Sequence, residues 1–104
     1  MYRAPLREMR FVLEELLDAG SFFRGKKSVD CQRCSECGID TATCRVACSD
    51  RPPETTTFPD RCAPLRHDGE ACLRALLAAS CDDYEAYVDD HSPTVPSECD
   101  FCPR

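Results

Sequence analysis

Tryptophan is absent from this sequence, and histidine occurs only twice. No apolar run approaches the ~18 residues that a membrane span requires. Period-2 alternation is nowhere sustained, so any strand would be short, and no repeat of solenoid length is present. The motifs that position common chemistry are missing as well: there is no G-x-S-x-G elbow to hold a nucleophilic serine, and neither a G-x-G-x-x-G nor a P-loop for nucleotides. Basic residues are in deficit, 13 Lys and Arg against 19 Asp and Glu, and the net charge of −6 argues against a nucleic-acid partner, whose phosphates demand a basic surface. His67 and His91 have no Cys or His partner at ligand-like spacing and read as solvated loop residues.

The residues left for a core are five Phe, three Tyr, two Met and a moderate set of Leu and Val. A chain of 104 residues forms one domain at most and buries about two-thirds of the surface its unfolded form exposes. Cross-links are expected to supply what so thin a core does not.

Cysteine is what the sequence has in quantity. Ten residues, Cys31, Cys34, Cys37, Cys44, Cys48, Cys62, Cys72, Cys81, Cys99 and Cys102, follow the pattern C-x2-C-x2-C-x6-C-x3-C-x13-C-x9-C-x8-C-x17-C-x2-C. The density and even count are those of a disulfide scaffold, and they favour a periplasmic, cell-surface or extracellular location. Five bridges of ~2–4 kcal/mol each would follow, although spacing alone does not fix their pairing. Two alternatives use the same residues. Cys34-x2-Cys37 and Cys99-x2-Cys102 have the local spacing of two zinc knuckles, and Cys31-x2-Cys34-x2-Cys37 with Cys102-Pro103 partly matches an iron–sulfur run. No secretory signal is read in the first residues, so a cytoplasmic chain with metal-bound cysteines is the corresponding alternative.

Along the chain, Pro5 and Gly20 are placed to start and end a helix over residues 5–19. Leu6, Met9, Leu13, Leu16 and Leu17 make its apolar stripe. Arg3, Arg7 and Arg10 precede Glu14, Glu15 and Asp18, an order that opposes the helix dipole, so the stripe is expected to act as a docking face for a protein partner or a second copy. Arg24-Gly25-Lys26-Lys27 reads as a solvated linker. Asp40 is expected to cap a helix over 41–48 that aims Cys44 and Cys48 at a neighbouring element. Asp68 is placed to cap a helix to Ala79 with Cys72, Leu73, Leu76 and Leu77 inward, and Ser80 with Asp83 forms a capping box for a helix to about residue 89. The segment Arg51–Pro59 carries three prolines and is a loop or extended connector. Asp82-Asp83 and Asp89-Asp90 lack the spaced oxygens and central Gly of an EF-hand and read as helix-terminal and solvated charge.

The fold expected is therefore small, mainly α and disulfide-rich: an N-terminal amphipathic helix and linker (residues 1–24), followed by a module of cysteine-stapled short helices and loops (residues 31–104). Residues 2–18, including Ala4-Pro5-Leu6-Arg7 and Met9-Arg10-Phe11-Val12-Leu13, resemble the N-terminal leader of a bacterial branch of the acyl-CoA dehydrogenases. The flavin site and catalytic glutamate of that family lie in later domains, so the resemblance carries over no catalytic or flavin-binding residue and implies at most a related fragment or accessory chain. Cys72-Leu73-Arg74-Ala75-Leu76, Ser80-Cys81-Asp82-Asp83-Tyr84 and the Pro-rich segment ending in Cys99 are similar to small cysteine-rich envelope proteins and lipoproteins of high-GC bacteria. That similarity implies a bacterial envelope location. The function expected is a structural or interaction module without catalytic residues, cofactor or membrane span.

Overall fold

A computed structural model of the chain describes residues 16–102. Leu6, Met9 and Leu13 of the expected docking stripe, and most of the segment similar to the dehydrogenase leader, lie outside these residues. The described part is mainly helical and contains no strand; Leu16 and Leu65 form an isolated antiparallel bridge. Its elements are α1 (Ala19–Cys37), α2 (Ala42–Ala47), α3 (Arg66–Ala78), α4 (Cys81–Tyr87) and a 3-10 turn (Ser97–Cys99).

The long helix α1 is the axis on which α2, α3 and α4 pack, and it departs from the sequence expectation at its start and in its middle. Gly20 does not terminate a helix; it lies in the first turn of one. Asp18 is the N-cap, its carboxylate accepting the Ser21 N–H at 2.8 Å. Leu16 and Leu17 consequently precede the helix and are not part of it. The Leu17 N–H donates to Pro64 O, and its side chain fills the space over Gly69, where a Cβ would come within 2.6 Å of a Leu17 methyl.

The expected basic linker is also helical, since residues 24–30 fall in the middle of α1. Three features hold it so. Phe22, Phe23 and Val29 pack on the core, Lys26 pairs with Asp30 one turn later at 2.9 Å, and three cysteines clamp the following turns. Gly38 ends the helix in the left-handed conformation (φ 66°), with the Ile39 N–H returning to Cys34 O at 3.0 Å and the Gly38 N–H shared between Cys34 O and Ser35 O.

The shorter helices follow local capping rules. Thr41, not Asp40, caps α2 by accepting the Cys44 N–H at 3.0 Å. Asp68 is not the cap of α3 but sits at its third position, and its carboxylate accepts from the N–H of Leu65, which has no oxygen to return the bond. Ser80 caps α4 as expected, accepting the Asp83 N–H at 3.1 Å. Cys72 and Leu76 are buried on α3, whereas Leu77, expected inward, is 45% exposed: the 100° turn per residue carries it off the face that Leu76 presents to the core. His67 stands in the first turn of α3, not in a loop, with an exposed side chain.

Five disulfides join these elements: Cys31–Cys48, Cys34–Cys44, Cys37–Cys81, Cys62–Cys102 and Cys72–Cys99. The first two are nested, inner to inner and outer to outer, so α1 and α2 form an antiparallel hairpin. Cys44 and Cys48 thus face a neighbouring element, as their four-residue spacing predicts. The C-x2-C-x2-C run lies on one helix, where steps of three residues turn each cysteine about 60° from the last. Cys31 and Cys34 therefore meet α2, and Cys37 reaches across to α4.

Candidate functional site

Two clusters surround α1. Along its N-terminal half, Phe22, Phe23, Phe58 and Phe101 form a ring cluster with centroid separations from 5.1 to 6.1 Å, edge-on or tilted as ring quadrupoles prefer. Phe58 enters this cluster from the Pro-rich loop, and Phe101 from the chain beyond the 3-10 turn. Cys62–Cys102 and Cys72–Cys99 close the same end of the molecule.

Along its C-terminal half the contacts are polar and directional. The Tyr84 hydroxyl, fully buried, donates to Asp30 at 2.5 Å, and Asp30 also accepts from Lys26. Burial, reinforced by the hydrogen bond to the carboxylate, pushes the Tyr84 phenol far above its ordinary range, so it remains a donor. Arg33 lies over the Tyr84 ring, 5.4 Å from its centroid, and donates to Ala79 O at the C-terminus of α3. Lys27 donates to Ala47 O and Ser49 O at the C-terminus of α2, at 2.8 and 2.6 Å. Both cations thus face helix ends that carry partial negative charge. In the opposite sense, Asp90 reaches back to the start of α2 and accepts from the N–H groups of Ala42 and Thr43 and from the Thr43 hydroxyl. Those bonds hold its carboxyl below the usual range.

Between α1, α2 and the Pro-rich loop lies an open groove of about 260 Å³, with Phe23, Val46, Ala47 and Pro53 as its apolar lining. Lys26, Lys27 and Asp30 also border it, but each already has a partner within the fold. The groove can accommodate an apolar side chain; Lys26, Lys27 and Asp30 are committed to contacts within the fold, and Glu54 on the Pro-rich loop also lines it.

The disulfides take up the cysteines of both metal alternatives. Cys34, Cys37, Cys99 and Cys102, the expected zinc set, belong to four different bridges and are not brought together. Cys31, Cys34 and Cys37 likewise pair with three separate partners, so the iron–sulfur run is not assembled. Among the described residues no cluster of His, Cys, Asp and Glu could hold a metal ion, and no helix is long and apolar enough to cross a membrane. Of the docking stripe, Leu16 is 52% exposed, while Leu17 is partly buried against the core.

Asp30, Arg33, Tyr84 and Asp90 carry the polar architecture, and sequence reasoning did not single them out for it. The one local signal was the four-residue spacing of Lys26 and Asp30, which marks a helical pair; the partners of the others are remote in sequence. Comparison with protein-family models, with curated proteins and with solved structures finds no match for this chain.

Proposed function

We propose that this chain is a non-enzymatic interaction module of an oxidising compartment, periplasmic, cell-surface or extracellular, that binds a protein partner or a second copy of itself through its N-terminal segment. The observation that carries the reading is that all ten cysteines are consumed in five bridges, leaving none free. Such complete pairing persists where thiols are not kept reduced. Support for the docking role comes from Leu16, a half-exposed leucine at the point where the apolar stripe of Leu6, Met9 and Leu13 joins the described fold. The acidic net charge suits a protein partner better than a nucleic acid.

Intact mass with and without reductant is the first test. The native protein, denatured without reductant, is expected to take up no alkylating reagent at any cysteine; free alkylation of the ten would overturn the reading. Docking is tested by light scattering on the full chain, the double variant Leu13→Asp/Leu16→Asp and a chain lacking residues 1–15. Both changes should abolish self-association and leave the helical spectrum intact, because a charge in a desolvated contact is costly. A cut at residue 24 is unsuitable, since it removes Phe22 from the core. A full chain that stays monomeric at high concentration would exclude the second copy as the partner.

A further inference from the structure

We infer that Thr55, Thr56 and Thr57 form an acceptor site for O-linked sugar. The three threonines are exposed, lie outside any helix or strand, and make no side-chain hydrogen bond that would give them a structural task. They lie on a strap whose two ends are fixed, directly before the second of them. At one end Lys27 holds Ser49 O; at the other Phe58 is seated among Phe22, Phe23 and Phe101. Pro52, Pro53 and Pro59 restrict the backbone on both sides of the threonines.

A threonine run between prolines is the composition of O-glycosylated segments. Here the structure adds accessibility on a segment anchored at Ser49 and Phe58, so a transferase would spend less conformational entropy in ordering it than on a free chain. The co-substrate is an activated sugar of the glycosyl phosphate class. The threonine Oγ1–H bond breaks and an Oγ1–C1 glycosidic bond forms; the bond from C1 to the phosphate oxygen breaks, and the phosphate-bearing group departs with the electron pair while the transferase base takes the proton. Thr55 borders the groove beside Pro53, so a sugar there would stand at the groove's rim.

The proposal rests on the oxidising-compartment reading, and one experiment separates the two. The full chain is purified from the organism that encodes it and weighed intact without reductant, beside the variant Thr55→Ala/Thr56→Ala/Thr57→Ala from the same host. Whole-sugar mass increments, mapped to residues 55–57 by fragmentation that preserves side-chain linkages and lost in the variant, are expected. A mass that shows only the hydrogen deficit of five bridges overturns the sugar site and leaves the compartment reading standing. Increments equal to phosphate, or sugars mapped elsewhere, also overturn it. Sugars on these threonines without the hydrogen deficit would remove the compartment reading alone.

Discussion

The two halves of α1 are held by different physics. Around Phe22 the chain is closed by four aromatic rings, a non-directional contact that depends on apolar area removed from water. Around Asp30 it is closed by a buried phenol, two cations on helix carboxyl ends and a carboxylate on a helix amino end, each of which works in one orientation only. Disulfides are shared between them: Cys62–Cys102 and Cys72–Cys99 at the aromatic end, and Cys31–Cys48, Cys34–Cys44 and Cys37–Cys81 at the polar end. In a chain with so small a core, apolar burial supplies stability at one end, and directed polar bonds supply register at the other.

The largest effect is expected from the aromatic end. Phe22→Ala should cost about 3–5 kcal/mol with all bridges intact, because it leaves a cavity among three rings, and urea unfolding reads it directly. At the polar end, Tyr84→Phe removes one hydrogen bond and leaves the Asp30 carboxylate with Lys26 alone, a loss of about 1–3 kcal/mol. If Tyr84→Phe cost more than Phe22→Ala, the division of labour drawn above would be reversed.

Two glycines sharpen the comparison at the level of a single methyl group. A Cβ at Gly25 would lie 3.5 Å from a Leu73 methyl, an ordinary contact, so Gly25→Ala should stabilise α1 by up to about 1 kcal/mol. At Gly69 the same methyl would meet Leu17 at 2.6 Å, and Gly69→Ala should lower the melting temperature by displacing Leu17 from its seat. Opposite signs for the two variants are the expected result. Equal signs would mean that Leu17 moves freely and does not lock the entry to α1.

The smallest effect is on pH dependence. Asp18 and Asp90 are both held below the ordinary carboxylate range by the backbone N–H groups they accept from, and both are solvent-facing. A carboxyl depressed in the folded state contributes its stability above its unfolded pKa, and that contribution is lost as pH falls through the folded value. Stability should therefore be flat near neutrality and decline below about pH 4. Asp90→Asn, which no longer titrates, should reduce the slope of melting temperature against pH in that range. An unchanged slope would show that the link from Asp90 to α2 contributes nothing to folding.

The legible part of the sequence was local. Ser80 sits before Asp83 with the spacing that closes a cap, and Cys44 and Cys48 share a face because a helix returns to the same side after four residues. Local signals misled at residues 16–27. Gly20 and the basic run looked like a helix end and a linker because α1 has little apolar periodicity of its own. Its later turns are anchored by cysteines, and a sulfur counts as core only when its partner has been found.

By itself, the sequence determined the class of this protein: mainly helical, with capped short helices after residue 40 and a cysteine density at the level of a disulfide scaffold. The pairing of those cysteines was decided only by the tertiary structure, as were the seating of Phe58 and Phe101 on Phe22 and the bonds from Lys27, Arg33 and Asp90 to the ends of neighbouring helices. The reason is range. A cap or a helical face is settled by side chains within one turn of the backbone they serve. Bridges such as Cys37–Cys81, separated by 44 residues, depend on packing that sets their helices side by side.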